Sequence, residues 1–209
     1  MGSSTASGHR LPVFVITGTS GEGKSTLARE LAQRMPELEL AVSATTRPRR
    51  PGEEDGRDYW FISDDEFDRK LAEGEFLEWV ELPWGEGHRS GTLWSELDRI
   101  RDEGRAPLLE IETGGALAVQ ERIPEAVTIF VTAPSRAVLE ERLRARATES
   151  PHEIEERLNV AERQLELQAA FKHRIVNDDL GRAIAELEGL VRGTLDASAS
   201  IAARDPSPH

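Results

Sequence analysis

Cysteine is missing from the chain altogether, tyrosine occurs once, and lysine fills only three positions, Lys24, Lys70 and Lys172. Without cysteine there is no disulfide framework and no thiolate metal site, a composition compatible with a cytoplasmic protein. No apolar run approaches the roughly 18 residues that a membrane-crossing helix needs. The opening Met1-Gly-Ser-Ser-Thr-Ala-Ser7 has no apolar signal-peptide core, and Ala6 stands where a myristoylation motif wants a hydroxyl. Positive charge is also short. With 26 basic against 39 acidic residues the formal net charge is −13, so most of the surface repels a nucleic-acid backbone, which argues against DNA or RNA as a partner. Nearly all of the basic residues are arginine, and a lysine kept against that bias marks a position worth inspecting.

What is present suits one folded domain. The 209 residues are 38% hydrophobic and 31% charged, enough to bury a self-sufficient core. Short β-branched runs alternate with amphipathic stretches, the pattern of an α/β domain with a mainly parallel sheet. Val13 to Thr17 reads as a buried first strand, Lys24 to Met35 as a helix closed by Pro36, and Val42 to Thr45 as a second short strand. Arg47 to Asp58 is a Pro- and Gly-rich loop, and Ser63 with Glu66 matches a capping box for a helix running to about Gly74. Phe76 to Leu82 reads as strand, Trp84 to Gly91 as loop and Thr92 to Glu103 as helix. Leu108 to Glu112 and Val127 to Thr132 are further strands, each leading into a helix. Helical spacing covers Ser135 to Arg146 and Glu153 to Ala170; Arg174 to Asn177 reads as a last strand and Asp179 to Leu195 as a last helix. The expected organisation is a disordered leader over 1–10, a domain over 11–195, and a disordered Ala-, Ser- and Pro-rich tail over 196–209.

One segment carries chemistry on its own. Gly18-Thr19-Ser20-Gly21-Glu22-Gly23-Lys24-Ser25 fits G-x-x-x-x-G-K-[ST] between an expected strand and an expected helix. Glycines let consecutive backbone N–H groups converge on phosphate oxygens, the helix N-terminus adds partial positive charge, and Lys24 reaches the β- and γ-phosphates. Ser25 is the expected Mg²⁺ ligand, and Thr26 extends the nucleotide-binding segment. The bland alternative is a Gly-rich turn that merely joins strand to helix. No lysine follows an asparagine, so the Asn-Lys-x-Asp guanine reader of regulatory GTPases is missing.

Beyond the loop, Val42-Ser-Ala-Thr-Thr-Arg47, Arg50-Pro-Gly-Glu53, Gly56, Asp58-Tyr59 and Phe76-Leu-Glu78-Trp79 follow in order. In that order and spacing the chain resembles the guanylate kinase family from about Val13 to Leu195. The resemblance implies a P-loop NTPase fold, three layers α/β/α around a mainly parallel sheet, with a small mixed α/β GMP-binding lobe over about 43–105 and a helical lid over about 144–160. It implies ATP and Mg²⁺ on one side and GMP, with dGMP, on the other, in a monomer or homodimer. Arg47, Arg50 and Tyr59 match the family's acceptor-phosphate residues, and planar guanidinium forks suit a phosphate dianion. Glu78 matches the guanine reader: one carboxylate can accept both N1–H and the exocyclic amine, a donor pair that adenine lacks. Ser43, Ser90, Gly91, Thr92 and Glu112 complete the implied acceptor pocket. Arg142, Arg146 and Arg157 match the lid and flanking arginines that stabilise transferring charge, and Asn177 matches a residue near the adenine end of the donor site. Read from pattern alone, these arginines are exposed helix charges and Glu78 is the polar side of an alternating strand.

The chain also departs from the family. A second phosphate-binding tyrosine is replaced by Ser90 in His88-Arg-Ser-Gly91, and Arg89 or the Ser90 hydroxyl is the expected substitute for its phenol. Thr19, Gly114, Ala145 and Ala147 are the smaller differences. Two rival functions follow from the same residues. A non-catalytic protein-binding module of guanylate kinase type typically lacks an intact loop. A related kinase for a sugar phosphate or modified guanylate needs the phosphate grip but no guanine reader.

Overall fold

The computed structural model describes residues 11–19, 21–82, 87–145 and 151–204. The expected leader, 1–10, lies outside the described residues. Five strands, β1 (Phe14–Gly18), β2 (Leu38–Leu40), β7 (Ala106–Glu110), β8 (Val127–Thr132) and β9 (His173–Val176), form one sheet in the order β2-β7-β1-β8-β9. Every pairing in it is parallel. Such a sheet is covered on both faces, which is why its strands read as continuous apolar runs.

Strand alternation divides the core in two. Phe14 and Ile16 of β1, with Leu108, Ile129 and Val131, pack against Leu27 and Leu31 of α1 (Lys24–Arg34) and Ile184, Leu187 and Val191 of α7 (Leu180–Arg204). Val13 and Val15, with Leu109 and Phe130, face the other way. They meet Leu97 of α3 (Trp94–Asp102), Ala116 and Val119 of α4 (Thr113–Arg122), and Phe171. These are the three expected layers.

A second sheet, order β4-β3-β6-β5, is built from β3 (Ala44–Thr45), β4 (Trp60–Phe61), β5 (Phe76–Glu81) and β6 (Arg89–Leu93). It is mixed: β3 pairs parallel with β4 and antiparallel with β6, and β5 pairs antiparallel with β6. Helix α2 (Asp64–Ala72) covers it and stacks Phe67 on Phe76 with ring centroids 4.3 Å apart. The expected cap holds, since the Ser63 hydroxyl accepts the Glu66 amide at 3.2 Å. Helices α5 (Arg136–Ala145) and α6 (Pro151–Glu166) form a hairpin around Leu139, Leu158 and Ala161, and a 3₁₀ turn, Leu167–Ala170, leads from α6 toward β9. No helix among the described residues is long and apolar enough to cross a membrane.

Three expectations need correction. The stretch read as one strand over Val42 to Thr45 is a crossing: Leu38–Leu40 belongs to the central sheet and Ala44–Thr45 to the small one, with 41–43 between them. Arg89–Leu93 is a strand, not the end of a loop and the start of a helix. Its Arg-Ser-Gly-Thr sequence has little β propensity, but β3 and β5 pair it on both sides, and a Cβ at Gly91 would collide with the Glu78 carbonyl. The third concerns the tail. Helix α7 runs on to Arg204, because Ala-rich sequence favours helix even where no apolar stripe demands it, and Ser198 and Ser200 hydroxyls bond back to Thr194 and Asp196 carbonyls. Residues 205–209 lie outside the described residues.

Candidate active site

The phosphate loop leaves β1 at its C-terminal edge and enters α1. Gly18 has φ 141°, and a Cβ there would fall into the carbonyl of Val131 on β8, so only glycine lets the loop turn so close to the sheet. The Lys24 ammonium is buried and donates to the Gly18 and Thr19 carbonyls at 2.7 and 2.8 Å, which holds it folded over the loop. Ser20 lies outside the described residues, and Thr26 is exposed on the first turn of α1.

Two side chains brace the loop. The Thr19 hydroxyl donates to Glu22, whose carboxyl is raised above its ordinary range by burial. The Asn177 side-chain amide donates to the Glu22 carbonyl at 2.7 Å, and its backbone N–H donates to Thr132 at 2.8 Å. Asn177 is buried and supports the loop from β9's end. Its own carbonyl accepts from Arg142 of α5 at 2.9 Å, while the other terminal nitrogen of Arg142 is buried with no partner among the described residues. A guanidinium nitrogen left unpaired beside a phosphate loop suits an oxygen of a bound nucleotide. Arg146 lies outside the described residues, as does the side chain of Arg157.

Ser25 points to the other side of the loop. Its hydroxyl donates to Glu110 at 3.0 Å, and both residues line a cavity of about 270 Å³ between the central sheet and the small one. Glu110 was not singled out in the sequence, although Leu108-Leu109-Glu110 is an apolar strand ending in an acid beside the loop strand, and that is its signal. Ser43, Tyr59, Glu78, Ser90 and Glu112 line the same cavity, with Arg29 and Arg57.

At one end stands Glu78, only 3% exposed. The Thr92 hydroxyl donates to it at 2.8 Å, and Ser43 lies 3.5 Å from Thr92, at the outer limit of a hydrogen bond. Burial pushes the Glu78 carboxyl up to about 7, against the opposing pull of Thr92 and of the charge on Arg122. The same Arg122 donates to the Phe76 and Leu77 carbonyls at 2.6 and 2.7 Å and so fixes β5 beneath the carboxylate. Gly115 is required opposite it, because a Cβ there would collide with Glu78 Oε2. Gly114, by contrast, meets only Val80. Gln164 of α6 donates to Glu112 at 3.2 Å, tying the second helix of the hairpin to this pocket.

The phosphate-type residues are placed differently from one another. Tyr59 lines the cavity, and its phenol is raised by burial and by the nearby Glu110 charge. Arg47 packs over the Tyr59 ring at 4.7 Å but sends its fork to Glu53, at 2.6 and 2.8 Å, and holds that carboxyl down to about 2. Glu53 also accepts the Arg50 amide at 2.8 Å, and the Arg50 side chain is exposed. Neither arginine lines the cavity. The Ser90 hydroxyl is turned to the Ala44 carbonyl at 3.1 Å, and Arg89 lies over the Phe67 ring with its nitrogens on Asp64 and Asp68. Arg89 therefore fastens α2 to β6.

The crossing between the sheets is held by a carboxylate. Glu96 of α3, 5% exposed, accepts the Val42 amide at 3.0 Å, and Arg99 bridges Glu96 to Glu39 at 2.9 and 2.6 Å. On either side, Ala41 donates to Leu108 in the central sheet and Ser43 accepts from Trp60 in the small one.

The family model described as guanylate kinase matches residues 10–194. The chain is 47% identical over 176 residues to a guanylate kinase of Thermosynechococcus vestitus, covering 84% of this chain and 91% of that one. It is 43% identical over 179 residues to one of Symbiobacterium thermophilum, covering 86% and 83%. Among solved structures, guanylate kinase from Anaplasma phagocytophilum superimposes with a TM-score of 0.70 at 28% identity, covering 88% of this chain and 86% of that one.

Proposed function

The chain belongs to the guanylate kinase family, and from that premise we propose that it moves the γ-phosphoryl group of ATP onto GMP, and onto dGMP as a second acceptor, giving ADP and the diphosphate. One observation carries the reading: Ser25 at the phosphate loop and the buried guanine-type reader Glu78 open onto the same cavity. A donor on the loop and an acceptor in the cavity then meet end to end.

Phosphoryl transfer needs positioning and charge more than covalent help. The loop amides and Lys24 hold the donor phosphates, and the free nitrogen of Arg142 takes an oxygen of the transferring group. The acceptor's phosphate oxygen attacks the γ-phosphorus, the bond to the β-phosphate oxygen breaks, and the electron pair leaves with ADP. At neutral pH the acceptor is already close to a dianion, so no base is required.

Mg²⁺ fits the same site. A hydroxyl and a carboxylate 3.0 Å apart, Ser25 and Glu110, are hard oxygen donors of the kind it prefers. Among the described residues no group of three or more His, Cys, Asp or Glu could hold an ion alone, so the nucleotide phosphates would supply most of its ligands. When bound, the ion neutralises charge building between the β- and γ-phosphates. The setting is the cytoplasm, with the enzyme a monomer or homodimer.

The test is ADP formation with GMP, dGMP, AMP, CMP, UMP and IMP as acceptors in parallel. GMP should exceed AMP by about 10⁴ in kcat/KM, the margin of a site that hydrogen-bonds a substrate group. No ADP with any acceptor would point to a binding module, and turnover only with a sugar phosphate would point to a different kinase.

A further inference from the structure

We propose that Arg29 is a further acceptor-binding residue, gripping the acceptor's phosphate from the α1 side of the cavity. The proposal rests on the GMP-kinase reading above. Arg29 follows Ser25 by four residues on α1, so both side chains project from one face of the helix. Both line the cavity.

The charge of the cavity wall calls for it. Asp58, Glu78, Glu110 and Glu112 contribute four carboxyl groups, and the lining cations are Arg29 and Arg57. Arg57 is engaged already: its nitrogens bond Asp58, Glu54 and the Gly52 carbonyl at 2.8, 2.6 and 3.1 Å. Arg29 has no hydrogen bond or ion pair among the described residues, and it faces Asp58, whose carboxylate feels its charge. A phosphate dianion entering such a cavity needs a guanidinium with free donors, and Arg29 is the one that offers them.

The position also answers the missing phenol. With Ser90 turned to Ala44 and Arg89 bound to α2, β6 contributes no donor of phenol length. Arg29 reaches the cavity from the opposite wall. Because α1 belongs to the central body and Tyr59 to the small sheet's side, a phosphate held by both would draw the two walls together. Acceptor binding and closure would then be one event.

The test compares the parent chain with Arg29→Ala and Arg29→Lys in steady state, varying GMP and ATP separately, with guanosine as a competitive inhibitor lacking the phosphate. For Arg29→Ala the KM for GMP should rise by about tenfold or more, the loss expected for a charge-assisted hydrogen bond. The KM for ATP, the thermal midpoint and the guanosine inhibition constant should stay within twofold. Arg29→Lys should fall between, since it keeps the charge but not the fork. An Arg29→Ala enzyme whose KM for GMP stays within twofold overturns the role, and so does a parallel rise for GMP, ATP and guanosine, which would mean damage to α1. A parent chain that forms no GDP removes the activity assignment itself, and this role with it.

Discussion

Glu78 holds the sharpest chemistry of any single residue here. Burial keeps its carboxyl at about 7 instead of the ordinary 4.5, so the native chain keeps a proton that the unfolded chain has already released. Its contribution to stability therefore falls as pH rises from 4.5 toward 7. Guanine needs the opposite form, because two N–H donors call for an ionised acceptor. The KM for GMP should fall between pH 6 and 8, and Glu78→Gln should flatten that part of the profile while leaving the part due to the acceptor's own second ionisation near pH 6. The same variant should lose about 10² or more in kcat/KM for GMP yet melt higher at pH 8. Equal pH profiles for the two enzymes, or a lower melting point for the variant, would rule out a buried titrating reader. Lys24, Ser25 and Glu78 were legible in the sequence because each sits in a motif of fixed spacing. Glu110 and Arg29 were not: one lies at a strand end and the other on the second turn of a helix, and only the fold brings them to one cavity.

Among elements, the crossing at 41–43 governs how the acceptor side is presented. Glu96 pins Val42 while the flanking residues bond to different sheets. Glu96→Ala leaves a partly buried amide without its acceptor, at a cost of about 1 to 3 kcal/mol. Thermal unfolding should show that loss, and steady-state kinetics should show a higher KM for GMP with the KM for ATP little changed. Glu96→Gln, which keeps the acceptor oxygen, should recover most of both; a Gln variant as impaired as Ala would deny the contact its role. At the chain's other end, α7 is anchored by Ala183, Ile184, Leu187 and Val191, and among the described residues none beyond Leu195 joins that core. A chain ending at Leu195 should unfold in urea within about 0.5 kcal/mol of the full chain; a larger loss would mean that the extension packs on something. Most elements could be read from periodicity, since the parallel strands are apolar runs and α1 has its stripe. Arg89–Leu93 could not, because its pairing partners and not its own residues make it a strand. The run beyond Leu195 is helical through alanine content, which periodicity does not detect.

The whole molecule carries a net charge of −13 and must still bring two polyanions together. Side-chain donors gather where the two sheets meet: Lys24 and Arg142 at the loop, Arg29 and Tyr59 at the cavity, and Gln164, which links the helical hairpin to Glu112. How the crossing and the hairpin are tied down was not readable, since the Glu96 and Gln164 contacts join residues far apart in the chain. Donor and acceptor are expected to sit end to end in one continuous site. Calorimetric titration with adenosine and guanosine joined 5′ to 5′ through five phosphates tests it most directly. Bound across both sites, the linked ligand should bind about 10² times more tightly than ATP or GMP alone, because the second half binds at high effective concentration. Affinity no greater than that of ATP, with GMP still able to bind beside it, would place the two sites apart and contradict the claim.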